Sequence, residues 1–206
     1  MTEQDWQTAS EPQAMLDFLQ KKETTSERKL RLFAVACSRR MWDWIDVLGR
    51  NAVDVAENFA NGSASPEELR AARLACQGAG GQAAWYAAAS NPVIAAQNAA
   101  RSAQVGVANN AQLGSEAAEL GAQAKLLREI FGDPFRPLSV DPSWLTLHVV
   151  ELAQTIYDER GFDRMPALAD ALEEAGCDHK EILAHCRGPE PHVCGCWLLD
   201  LILGKE

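Results

Sequence analysis

The sequence predicts an all-α protein, a helical bundle with long alanine-rich central helices and a smaller C-terminal helical part. Three observations lead there. Apolar residues recur at i, i+3, i+4 and i+7 over most of the chain, the spacing that puts them on one helix face. Capping residues and prolines stand just ahead of these stretches. Twenty of the 54 residues from 71 to 124 are alanine, the residue with the highest helix propensity. No convincing strand or hairpin pattern and no fixed-period repeat interrupts this.

Taken in order, Ser10 followed by Glu11-Pro12 predicts a first helix carrying Met15, Leu16, Phe18 and Leu19. Ser26 predicts a cap for a second, running to about Leu48 through Leu30, Phe33, Ala34, Cys37, Met41, Trp44 and Ile45, with Gly49 as its stop. A short helix over Ala52–Phe59 ends at Asn61-Gly62. Ser65-Pro66-Glu67-Glu68 is the clearest start signal. The Ser65 hydroxyl can take the Glu68 amide while the Glu68 carboxylate takes the Ser65 amide. Two long helices are then expected, about 66–89 and 92–131, with Asn91-Pro92 between them and glycines such as Gly78, Gly80 and Gly81 working against continuity.

Gly132-Asp133-Pro134 closes the second of these, and the proline-punctuated segment to Asp141-Pro142 reads as a linker. The expected division is therefore 1–136 and 137–206, or else a single compact unit. Past it, helices are predicted at about 146–160, at 165–175 with Asp163 as cap, from an Asp178–Glu181 capping box to Cys186, and at about 193–203.

The chain has 206 residues, 47% of them apolar, and a formal net charge of −10. That suits one domain, or one with a small appendage, with a core large enough to stand without disulfides. The charge is uneven: residues 137–206 hold five basic and thirteen acidic side chains, so −8. An acidic surface repels phosphate backbones, which disfavours nucleic acid as partner. The basic run Lys21, Lys22, Arg28, Lys29, Arg31, Arg39 and Arg40, diluted by Glu23 and Glu27, reads as a solvated helix face. The N-terminus is acidic, without the apolar stretch of a signal peptide, and no apolar run approaches a membrane span. The expectation is a soluble, cytoplasmic protein whose six cysteines are thiols or metal ligands.

One stretch is chemically suggestive. Cys177, His179, His185, Cys186, His192, Cys194 and Cys196 fall within twenty residues, four of six cysteines and three of four histidines. Thiolates and neutral imidazoles suit zinc or copper. Asp178, Glu181, Glu190 and Asp200 would ease the approach of a cation. The spacing matches no common zinc module, because no Cys-x-x-Cys is present. His185 and Cys186 are adjacent, so on a helix they diverge by about 100° and one ion takes only one of them. The candidate ligands are His185, Cys186, His192 and Cys196, with Cys177 as an addition. The plainer account, thiols in the core and histidines at helix ends, is preferred. A third reading is redox use of Cys194 and Cys196. Elsewhere, His148 with Glu151 and Glu181 with His185 read as helix-face pairs, and Cys37 and Cys76 as core.

Several motifs together resemble a family of small paralogous proteins of planctomycete bacteria. They are Arg28-Lys29-Leu30-Arg31-Leu32-Phe33-Ala34, Ile130-Phe131-Gly132-Asp133-Pro134-Phe135-Arg136-Pro137 and Leu168–Cys177, then His185-Cys186-Arg187, His192, Gly195-Cys196-Trp197 and Asp200. The resemblance spans nearly the whole chain and implies no particular activity. That pattern has arginine where Cys194 stands, which leaves His185, Cys186, His192 and Cys196 as the ligands it favours.

The function expected first is a non-catalytic helical module for protein–protein interaction or self-association, with no cofactor. The alternative is a metal-binding protein, zinc foremost, centred on 177–196. An enzyme using His192 or Cys196 in a cleft is the thinnest reading. The sequence has neither the signature of a phosphate loop nor that of a nucleophile elbow.

Overall fold

The computed structural model describes residues 1–22, 25–78, 81–110, 114–189 and 191–205. Glu23, Gly80 and Glu190, named above, lie outside the described residues. Twelve α-helices and no strand occur among the described residues. Helices α1 (Glu3–Thr8), α2 (Pro12–Gln20), α3 (Glu27–Arg39) and α4 (Val47–Ala60) come first. They are followed by α5 (Pro66–Ala75), α6 (Gln82–Ala87), α7 (Pro92–Ala108) and α8 (Glu116–Phe131). The last four are α9 (Leu147–Glu159), α10 (Met165–Glu174), α11 (Lys180–Arg187) and α12 (Trp197–Leu203). No described helix is long and apolar enough to cross a membrane. The chain divides into two compact units, Met1–Arg128 and Glu129–Glu206.

In the first unit, α3 packs against α4, α6 and α7, and α4 against α5. The seam is built from small side chains: Ala34, Ala52, Ala56, Ala84, Ala95, Ala99 and Ala103 are fully buried. An alanine methyl removes little apolar surface from water, so this seam gains its contact by letting helix backbones come close. The Ser65–Glu68 box forms as predicted, at 3.2 and 2.7 Å. Asn91 opens α7 by accepting the amides of Val93 and Ile94.

Four expectations change. The helix predicted from Ser26 to Leu48 stops at Arg39, and Asp46 restarts the chain as α4 by accepting the Gly49 amide at 2.8 Å. Gly49 is thus inside a helix, not at its stop. The two long helices are each two shorter ones. Residues 76–78 form a turn after α5, and α7 ends at Ala108 with Asn109 as its cap. Residues 79–80 and 111–113, across which continuity was expected, lie outside the described residues. The caps assigned to Ser10, Asp163 and Asp178 fall instead on Glu11, Arg164 and His179, none with a side-chain cap bond. Proline stands in the first turn of the first two.

The basic run is also not a simple solvated face. Arg31 is buried and donates to the carbonyls of Ala87 (3.0 Å), Ala89 (2.7 Å) and Ser90 (3.0 Å), the open end of α6. Arg39 pairs with Asp54 and Glu57, and Arg40 with the buried Glu119. Periodicity places these arginines on a helix but does not say which carbonyls and carboxylates face them.

In the second unit α10 packs on α9 and α11, and α12 on α9. Val149, Ala153, Ile156, Met165, Leu168, Leu172, Ile182, Leu198 and Leu199 form its dry interior. Leu147 is exposed at the first position of α9.

Candidate metal centre

Local sequence places each donor. On α11, Ile182, Leu183 and Cys186 turn toward the core. His185, one position from Cys186, therefore points a different way. Arg187 reaches back to Asp170 (2.7 Å) and Glu173 and fixes α11 against α10. His192 lies outside any helix, just ahead of a tight turn in which the Cys196 amide donates to the Val193 carbonyl at 2.9 Å. Cys196 then caps α12, and its own carbonyl accepts the Asp200 amide.

The fourth donor comes from far away in the chain. Glu129 lies in the last turn of α8 between Leu126 and Ile130, all three buried. Just past it Gly132 takes a left-handed φ of +65°, and a Cβ there would stand 3.3 Å from the Trp197 ring. Glycine lets the chain leave α8 at that point and pass close over Trp197.

Glu129, His185, His192 and Cys196 come together, with one donor atom from each lying within 4.8 Å of all the others. His192 Nδ1 is 2.9 Å from Glu129 Oε1, His185 Nε2 is 3.2 Å from Cys196 Sγ, and His185 Nε2 is 3.7 Å from Glu129 Oε2. Side-chain exposures are 3% for Glu129, 6% for His192 and 13% for His185, and Cys196 is fully buried. The imidazoles of His185 and His192 meet edge to face at 4.9 Å, and the Trp197 ring covers His185 at 4.7 Å.

Burial, and next the neighbouring His192, lower the pKa of His185 to about 3. His185 is therefore neutral at ordinary pH, and its approach to Glu129 is not an ion pair despite the distance. Neutral imidazole is the form that binds metals. The Cys196 thiol is pushed well up by burial and by the Glu129 charge, while the amides of Leu199 and Leu198 pull the other way. Without a cation this sulfur keeps its proton; a bound metal ion removes it. The Nε2 atom of His192 is buried with no hydrogen-bond partner among the described residues. Such an atom costs about 1–3 kcal/mol.

Three of the four sequence candidates, His185, His192 and Cys196, are thus brought together. Cys186 is not among them. It is buried in the core, and burial, followed by the nearby Cys177, pushes its thiol up to about 12. Cys177 is likewise core, so the packing account fits these two. Cys194 is partly buried against the same core. Cys37 and Cys76 are buried in the first unit as expected. Glu181 lies near Arg136 at 3.8 Å, not beside His185. Asp178 is exposed, and Asp200 is buried outside the donor group. Glu129 was missed. The available signal was a carboxylate set within the apolar stripe Leu126–Ile130, a position where helices bury rather than solvate.

In the metal-free protein, folding holds His185 neutral while the unfolded chain protonates it near pH 6.5. Its contribution to stability is complete above pH 6.5 and is lost as pH falls toward 3. The expected slope is at most about 1.4 kcal/mol per pH unit, since one proton is taken up on unfolding. Urea titrations between about pH 7 and 4 on the wild type and on His185→Gln check this. The variant should lose most of that slope, and an equal slope in both excludes His185 as its source.

Fold and site together define a helical protein with a buried Glu/His/His/Cys group of metal-ligand type. Comparison of the chain with protein families, with curated proteins and with solved structures returned no match.

Proposed function

We propose that this chain is a metal-binding helical protein whose second unit is cross-linked by a structural zinc ion on Glu129, His185, His192 and Cys196. The observation that carries this is the convergence of four ligand-type atoms, all within 4.8 Å of one another, in a site nearly closed to solvent. A tetrahedral zinc ion with bonds of about 2.0–2.3 Å sets its ligands ~3.3–3.8 Å apart, so small side-chain adjustments complete the shell. Glu129 and the Cys196 thiolate supply two negative charges and the imidazoles none, which matches a divalent ion. With four protein donors no position is left for a substrate, and closed sites of this kind are structural, not catalytic. Copper is the competing ion, because two histidines and a cysteine suit it as well.

The test is elemental analysis of protein purified without a polyhistidine tag from zinc-supplemented medium. The expected result is one zinc per chain and a melting temperature that falls on chelation and returns with zinc. An ion that binds only the folded state stabilises it by about 4 kcal/mol at a thousand times its Kd. Less than about a tenth of an equivalent of any transition metal, with no thermal shift on addition, overturns the reading, since native-state binding must stabilise. One copper in place of zinc corrects the ion and keeps the site.

A second reading, a helical interaction module, is favoured by one observation in the first unit. Trp44, Val47 and Leu48 are 48%, 77% and 44% exposed around the start of α4. Adjacent exposed apolar side chains mark contact surfaces. Val47→Asp is expected to abolish self-association detected by light scattering. A wild type that stays monomeric at high concentration counts against self-association.

A further inference from the structure

We propose that Cys194 is a site of peroxide oxidation whose product, a disulfide with Cys196, expels the metal ion. The inference rests on the metal centre proposed above and assigns it a regulation. Four cysteines belong to the second unit, and Cys177, Cys186 and Cys196 are buried whereas Cys194 is only partly so. An oxidant arriving from solvent therefore meets Cys194 first. Cys194 and Cys196 flank a single glycine in the turn closed by the Cys196 amide on the Val193 carbonyl. Gly195 has φ +90°, a conformation that only glycine adopts readily, and it places no side chain between the two cysteines. Cys196 is also the one sulfur in the donor group. A single disulfide therefore removes both the thiolate and one of the two negative charges holding the ion.

The chemistry balances in two steps. The Cys194 thiolate attacks hydrogen peroxide; an S–O bond forms, the O–O bond breaks and hydroxide leaves, so sulfur is oxidised to the sulfenic acid and peroxide is reduced. The Cys196 sulfur, held as thiolate by the ion, then attacks the Cys194 sulfur. The S–S bond forms, the S–O bond breaks, hydroxide leaves and takes a proton from solvent, and the metal–sulfur bond is lost. Glu129, His185 and His192 remain, one ligand short, and the ion departs. A dithiol reductant reverses the change by reducing the disulfide back to two thiols. Cys177 and Cys186 take no part because neither belongs to the donor group.

The experiment uses the full chain loaded with zinc, hydrogen peroxide as oxidant and a chromogenic chelator to follow release. Wild type is expected to release its zinc as mass spectrometry records a loss of two hydrogens on the peptide holding Cys194 and Cys196, and dithiothreitol should restore binding. Cys194→Ser should load the same zinc and release it at least about tenfold more slowly, since the accessible sulfur is oxidised first. Equal release rates in the two proteins overturn the proposal, as do a disulfide from Cys196 to Cys177 or Cys186 and an oxidised Cys194 with zinc retained. Absence of zinc before any peroxide is added overturns the metal centre itself, and so is told apart from failure of the switch alone.

Discussion

Glu129→Gln is expected to weaken zinc binding by more than about 100-fold while leaving helix content unchanged. Loss of an outer hydrogen-bonding partner of a metal site already costs about 10- to 100-fold, and Glu129 is a direct donor in the proposed shell. Glutamine keeps the shape and removes the charge, so a buried divalent ion would face one negative ligand instead of two. Competition with a chelator of known affinity measures the change, and circular dichroism reports the fold. Asp178→Asn, Glu181→Gln and Cys186→Ser are the decisive comparisons. All three residues lie in or beside the suggestive stretch, yet none belongs to the converging group. They should bind zinc within about threefold of wild type, since exposed charges and distant core thiols act weakly on a buried ion. If Cys186→Ser loses zinc and Glu129→Gln does not, the ligand set is wrong.

Arg31→Ala should be the most destabilising single change in the first unit, by about 3–5 kcal/mol. The guanidinium of Arg31 satisfies three carbonyls where α6 ends and lies over the Phe59 ring at 5.0 Å. Its burial lowers its pKa only to about 10, so it is charged throughout the neutral range. Alanine would leave these acceptors unpaired and open a cavity between α3 and α6. Lysine, a single point donor on a thinner stem, cannot span three carbonyls as the planar fork does and should recover less than half of the loss. In urea the midpoint of Arg31→Ala should fall by more than about 1 M with an unchanged slope. A midpoint within about 0.3 M of wild type would show that water replaces the guanidinium at no cost.

Much of this was legible from the residues alone. The all-α fold followed from the 3.6-residue spacing of apolar side chains and from caps such as Ser26 and Ser65, because helix formation is governed by neighbours about three and four positions away. The same locality explains the errors. The stretch from Ser26 to Leu48 keeps helical spacing throughout, yet the helix ends at Arg39, a single 3-10 turn follows at Trp42–Trp44, and Asp46 opens the next helix by accepting the Gly49 amide. Asp178 and Glu181 have the spacing of a capping box, yet His179 occupies the cap and Glu181 turns toward Arg136.

Residue chemistry by itself determined that this chain is helical, that its cysteines and histidines concentrate in 177–196, and that adjacent His185 and Cys186 could not both bind one ion. Tertiary structure decided which of the two joins His192 and Cys196, and it supplied a carboxylate 63 residues from His192. Spacing along a helix fixes where a side chain points relative to its own axis, whereas a metal site is defined by where several axes bring their side chains. That depends on how the end of α8, α11 and the turn into α12 fold together, and no local pattern records it.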